Sequence, residues 1–219
     1  MFKKTLSLIL AMSLLTLSLI SCKKKGDDTE TTYSLDQYEE DTSTEKKDVY
    51  YVAMAVKDHG IIILKLDADN APITVANFVK LVREGFYDGL TFHRVKTNFM
   101  IQGGDPNADG SGGSKDKIEG EFLSNGYNNK ISHKRGVISM ARLSNNPNSA
   151  TSQFFIMNVD YTGLDGDYAA FGYVIEGMDV VDSITSSTAK YGDYQSGTIS
   201  DKSKQAVITE MKVIIYNEQ

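Results

Sequence analysis

From residue 49 to residue 216 the chain is written as short apolar runs cut by glycine, and that punctuation limits the folds open to it. Residues 49–56 alternate and then run continuously apolar, residues 61–66 are apolar again, and Lys57, Asp58, His59 and Gly60 between them have the composition of a turn. Two runs rich in β-branched and aromatic residues across a short Gly-containing break predict a hairpin. Runs at 90–95, 99–103, 136–141, 153–157, 169–174 and 206–216 predict the remaining strands. The period changes at Val75, Phe78, Val79 and Val82, which fall at i, i+3, i+4 and i+7, the stripe of an amphipathic helix. Asn70 is placed to cap that helix, Pro72 suits its first turn and Gly85 its end. A short second helix is expected over 178–184. The first and last strands are both strongly apolar, and pairing them closes the sheet and removes its exposed edges. The fold is therefore read as mainly β, a closed antiparallel eight-stranded barrel capped by two α-helices.

The first residues are of another kind. Lys3 and Lys4 open a short positive region, and residues 5–20 form an apolar run with small hydroxyl residues scattered in it, the pattern of an export signal over residues 1–21. The run is shorter than the ~20 residues a membrane-spanning helix needs. Its end, Leu19-Ile20-Ser21-Cys22, resembles a bacterial lipobox, which implies lipidation of Cys22 and an extracytoplasmic, membrane-anchored protein. Cys22 is the only cysteine, so no disulfide forms within the chain. Residues 23–48 carry five Lys against nine Asp plus Glu and few apolar side chains, which predicts a flexible acidic tether before a domain at 49–219. The net charge of −6 argues against nucleic acid as a partner, because that role needs a basic face.

The chemistry concentrates in three ordered blocks. Phe92-His93-Arg94-Val95 is followed by Phe99-Met100-Ile101-Gln102-Gly103-Gly104-Asp105-Pro106. Ser139-Met140-Ala141-Arg142 leads to Thr151-Ser152-Gln153-Phe154-Phe155-Ile156, and Leu164-Asp165-Gly166 precedes Ala170-Phe171-Gly172. Together, in this order, they resemble the signatures of the cyclophilin-type peptidyl-prolyl cis-trans isomerases, and the resemblance runs from about Tyr50 to about Ile215. It implies a cyclophilin-like barrel that rotates X-Pro peptide bonds. Arg94, Phe99 and Gln102 take the catalytic positions, and Met100, Ala141, Arg142, Gln153, Phe155, Leu164 and Tyr168 those that hold the substrate. It implies no cofactor and no metal, proline-containing polypeptides as partners (above all exported proteins that are still folding) and a monomer.

Such a reaction breaks no covalent bond. An amide is turned against a barrier of ~18–20 kcal/mol, and left alone this takes tens to hundreds of seconds. Reaching about a millisecond needs roughly 6–7 kcal/mol of preferential binding to the twisted form. Half-way round, the proline nitrogen regains a localised lone pair, and a fixed donor aimed at it stabilises that state above the planar ones. The planar, permanently charged guanidinium of Arg94 is suited to this. His93 reads as structural, since rotation needs no proton transfer.

Other features carry less. His59, His93 and His133 stand apart without ligand spacing, and the Gly-rich stretch 109–114 lacks both the Lys of a phosphate loop and a nucleophile elbow. The chain also departs from the family. Gly163 stands where many members have Trp, which implies weak cyclosporin binding; Tyr168 stands where His is common; and Arg142-Leu143 replaces a small or amide pair. The rival readings are a module that binds proline-containing segments with little isomerase activity and a structural surface lipoprotein.

Overall fold

The computed structural model describes residues 30–218. The expected export signal, Cys22 and the first part of the tether lie outside the described residues. The strands are β1 (Val49–Val56), β2 (Gly60–Asp67), β3 (Thr91–Phe92), β4 (Arg94–Lys96), β5 (Met100–Gly103), β6 (Val137–Met140), β7 (Phe154–Met157), β8 (Ala170–Glu176) and β9 (Ala206–Ile214). Two helices, α1 (Pro72–Arg83) and α2 (Met178–Thr188), accompany them. The strand order is β3-β9-β1-β2-β8-β6-β7-β5-β4, and every pairing is antiparallel.

The two ends of this order are consecutive in the chain. The run 90–95, expected as one strand, breaks at buried His93, because its first half pairs with β9 and its second half turns to pair with β5. Nine strands by hydrogen bonding are thus eight in architecture, with β3 and β4 as one interrupted stave that closes the barrel. The expected pairing of first and last strands is present, with Tyr51 opposite Ile214.

The barrel is filled by one core, into which Ile101, Ile138, Phe154 and Ile156 point from the strands. Helix α1 closes it with Val75, Phe78, Val79 and Val82, the four residues of the expected stripe. Phe78 meets Tyr87, Phe154 and Phe171 with ring centroids 5.0, 5.6 and 5.1 Å away. Burying one such ring stabilises by about 1.5–3 kcal/mol. Gly85, at φ +65° just beyond the last turn, supplies the left-handed residue that stops the helix.

The start of α1 differs from expectation. Asn70 bonds Asp67 instead of capping the helix. The cap comes from across the fold: the buried carboxylate of Glu121 accepts from the backbone N–H of Ile73 at 2.9 Å and of Thr74 at 2.8 Å. An acidic side chain there satisfies two free donors and opposes the helix dipole. Glu121→Ala leaves both donors unpaired in a dry site and should destabilise the domain by about 2 kcal/mol. A urea midpoint equal to wild type would show that other groups cap the helix. Helix α2 runs past its expected end at 184. Hydroxyls of Thr185 and Thr188 donate to the carbonyls of Val181 and Ile184 one turn back, so these hydroxyls find their partners within the helix itself.

The tether expected to reach residue 48 requires correction. From Glu30 the chain is laid against the barrel wall. Thr31 and Asp58 exchange hydrogen bonds, the N–H of Asp41 donates to the Val213 carbonyl, and Ile215 donates to Glu39. Leu35 is fully buried among Ala53, Ala55, Ile63 and Ile214, with Tyr33, Tyr38 and Tyr216 around it. Arg83 fixes the far end through the carbonyls of Asp41 and Ser43. Composition misled because three apolar side chains suffice when they meet an apolar wall that must be covered. Among the described residues no helix is long and apolar enough to cross a membrane.

Candidate functional site

Strand register brings the expected residues together. Arg94 on β4 stands opposite Gln102 on β5, and Gln102 stands opposite Phe155 on β7. Alternation along β5 sends Ile101 into the barrel and Met100 and Gln102 to its outer surface; on β7 it separates Ile156 from Phe155 in the same way. The outcome is a cup of about 270 Å³ on the barrel wall. Met100 and Phe155 are its buried floor, and Phe99, Leu164 and Tyr168 its half-exposed apolar rim. Ala141 and Arg142, just after β6, close one side, while Arg94 and Gln102 form the polar edge. Gln153 lines an adjoining hollow of about 330 Å³ with Gly110, Gly112, Gly113 and Thr151, and Gln102, Ala141 and Arg142 border both.

A directed chain of hydrogen bonds runs along the polar edge. Arg94 donates from Nη1 to Oε1 of Gln102 at 2.9 Å and from Nε to the carbonyl of Ser196 at 2.7 Å. Gln102 donates to Gln153 Oε1 at 2.9 Å, and Gln153 donates to the carbonyls of Gly112 at 2.7 Å and Gly110 at 3.1 Å. Arginine has no acceptor and the glycine carbonyls have no donor, so the orientation of both amides is forced from the two ends. Nη2 of Arg94 has no partner among the described residues. Burial lowers the pKa of Arg94, with Tyr168 acting the other way, and a guanidinium stays charged regardless.

Arg142 is held as tightly as Arg94. Its Nε donates to the Asp167 carbonyl, its Nη1 to those of Leu143 and Ser144, and its guanidinium lies 4.7 Å from the Tyr168 ring centre and 5.1 Å from that of Phe122. Tyr168 in turn meets Phe155 edge-on at 5.9 Å. Tyr161, not singled out from the sequence, packs edge-on against Phe99 at 5.1 Å, and its ring lies 3.1 Å from where a side chain on Gly163 would begin. The absent indole is thus replaced by a ring from two residues earlier.

His133, isolated in sequence, is one of three residues that the fold brings together under the cup. Its ring stacks 6.0 Å from Phe155, with Nδ1 2.9 Å from Asp165 and Nε2 3.1 Å from the Ser139 hydroxyl. The carboxylate accepts, so Nδ1 carries the proton and Nε2 receives the serine hydroxyl. The spacing is that of a nucleophilic triad, yet Ser139 and His133 are fully buried beneath Phe155, and the arrangement braces the floor of the cup. No sequence pattern marks it, because the three residues lie on separate segments.

Burial lowers the pKa of all three histidines. For His93, Asp105 and Asp109 pull upward and Arg94 downward; for His133 the hydrogen bond and charge of Asp165 pull upward; in each case burial prevails. A folded-state value below the ordinary one means that the unfolded chain binds more protons in that window. This contribution is complete above pH ~6.5 and is lost as pH falls through the folded values. Urea stability should therefore drop between pH 7 and 5. Both ring nitrogens of His93 are buried without a partner among the described residues, so His93→Met, close in volume, should flatten that slope. An unchanged slope in the variant would remove His93 from the account.

A barrel with an apolar cup on its outer wall, a fixed cation at the edge and a glycine-lined hollow alongside is built to hold an extended polypeptide. Residues 51–213 match the family model for cyclophilin type peptidyl-prolyl cis-trans isomerase/CLD. The chain is 42% identical over 164 residues to peptidyl-prolyl cis-trans isomerase B of Escherichia coli, covering 70% of this chain and 93% of that one. It is 43% identical over 161 residues to isomerase A of Dickeya dadantii, covering 71% and 80%. A Cryptosporidium parvum cyclophilin, solved in the presence of the dipeptide Ala-Pro, superimposes with a TM-score of 0.65 at 29% identity, covering 76% of this chain and 99% of that one. The chain belongs to the cyclophilin-type peptidyl-prolyl cis-trans isomerases, and its reaction is rotation about X-Pro peptide bonds.

Proposed function

We propose that this isomerase works through Arg94, with the proline ring in the cup over Met100 and Phe155 and the preceding residues along the glycine-lined hollow. The observation that carries this reading is the hydrogen-bonded setting of Arg94, which lines the cup, uses Nε and Nη1 for support and leaves Nη2 without a partner among the described residues. Phe99, Leu164 and Tyr168 enclose the ring, while Gln102 and Gln153 keep the edge polar and rigid. Because the guanidinium is fixed beforehand, it loses little on binding and offers most to the pyramidal nitrogen. A protease-coupled assay on a proline tetrapeptide tests this. A wild-type rate no faster than buffer would favour a module that only binds proline-containing segments.

The same reading places the enzyme outside the cytoplasm, anchored through lipidated Cys22 and acting on exported proteins whose folding waits on X-Pro bonds. It is supported by Lys3 and Lys4, the apolar run after them and Leu19-Ile20-Ser21-Cys22. With the chain laid on the barrel wall from Glu30, the stretch back to Cys22 spans at most about 30 Å at ~3.3–3.6 Å per residue. The folded domain then stays close to the bilayer surface. Palmitate labelling of wild type and Cys22→Ala decides the anchor; equal labelling of both would refute it.

A further inference from the structure

The shorter of the two side-chain hydrogen bonds of Arg94 among the described residues goes to the backbone carbonyl of Ser196, at 2.7 Å. That carbonyl belongs to the turn 192–198, which runs beside β4. Val95 N–H donates to Gly197, Ile199 N–H donates to His93, and Arg94 and Thr198 form a bridge. Gly197 sits at φ +80°, and a Cβ there would lie 2.8 Å from the Val95 carbonyl, so the turn approaches β4 as closely as backbone allows.

One side chain organises this turn. Oδ1 of Asp193 accepts from the N–H of Gln195 at 3.0 Å, the N–H of Ser196 at 2.9 Å and the Ser196 hydroxyl at 3.1 Å. The Asp193 carbonyl accepts from Gly197 N–H at 2.8 Å. A trans peptide points its C=O opposite to its N–H. With the Gly197 N–H turned toward Asp193, the Ser196 carbonyl must face the other way, onto Arg94. Lys96 adds a second hold through the Gln195 carbonyl at 2.8 Å.

We propose that Asp193 is a positioning residue for isomerisation: by fixing the turn it directs the Ser196 carbonyl, which in turn sets the rotamer of Arg94 over the cup. This rests on Arg94 being the stabilising donor. Asp193 touches neither the cup nor any substrate path through it; its effect passes through one carbonyl. Bonds from the Ser196 and Gln195 N–H groups hold its pKa below the usual carboxylate value, so the carboxylate stays an acceptor across neutral pH.

The test is a double-mutant cycle in the tetrapeptide assay with wild type, Asp193→Ala, Arg94→Ala and the double variant. Asp193→Ala should lower kcat/KM about tenfold, mainly in kcat, with an unchanged urea midpoint. Asp193→Asn keeps the Oδ1 acceptor and should recover to within about threefold of wild type. In the Arg94→Ala background the same change should have no further effect. Should the midpoint of Asp193→Ala fall, Ser196→Ala removes only the hydroxyl contact and should show a smaller loss, again only when Arg94 is present. Asp193→Ala at the wild-type rate, or an equal loss in both backgrounds, overturns the proposal and leaves Arg94 in place. Arg94→Ala at the wild-type rate overturns both.

Discussion

Arg94→Ala lowers kcat/KM for an X-Pro tetrapeptide about 10²–10³-fold while the barrel stays folded. The magnitude is that of removing one preorganised donor from a site where charge or a lone pair develops in the transition state. A loss of that size assigns about half of the roughly 6–7 kcal/mol required to this one group; on the proposed reading the rest is left to holding the proline ring against Met100 and Phe155, so that the amide turns about a fixed pivot. The loss falls in kcat, because the planar substrate gains little from a donor aimed at its nitrogen. Arg94→Lys should resemble alanine more than wild type. An ammonium keeps the charge but cannot donate at once to the Ser196 carbonyl, to Gln102 and toward the cup with a rigid fork. Circular dichroism and the urea midpoint serve as controls, since Arg94 lies at the surface of the cup and outside the barrel core. A rate unchanged in Arg94→Ala would move the catalytic donor elsewhere and leave the family assignment intact.

The second large effect is on stability and lies far from the cup. Leu35→Ala should cost about 3 kcal/mol, within the range for truncating a fully buried leucine. In a domain of this size that lowers Tm by roughly 6–12 °C. Activity per folded molecule should not change, because Leu35 packs on Ala53, Ala55, Ile63 and Ile214, on the wall that residues 30–48 cover as a strap. A chain begun at Asp48 should fare worse. It loses Leu35, the strap's hydrogen bonds to Asp58 and Val213, and the partners of Arg83, and it exposes an apolar wall to association. Equal melting temperatures for wild type and Leu35→Ala would mean that the strap only rests on the surface, as a true tether does.

The strap shows where reading a sequence stops being local. The strands of residues 52–56 and 61–64 are continuously apolar, which is the mark of a strand covered on both faces. The inner face meets the barrel core; the outer one needed a cover, and residues 30–48 were the chain at hand. Local composition over 23–48 is that of a segment unable to order itself, and this remains true of the segment in isolation. Glu121 teaches the same lesson. Asn70 is the better cap by proximity, but the fold carries a carboxylate from 47 residues away to Thr74.

Sequence alone determined the strand and helix pattern, the pairing of first and last strands, and the set of residues around the cup, because period-2 alternation and ordered motifs are written locally along the chain. Nine of the ten site residues named from it outside the anchor line one cup, and the tenth, Gln153, is bonded to Gln102 at its edge. Tertiary structure alone decided what holds those residues still: Ser196 on Arg94, His133 under Phe155, Tyr161 over Gly163, Glu121 on α1 and Leu35 on the outer wall. All but the Tyr161–Gly163 contact join segments far apart in sequence, through one or two hydrogen bonds, a ring contact or a buried leucine. Such a contact has no period and no spacing, so it comes into being only when the barrel closes.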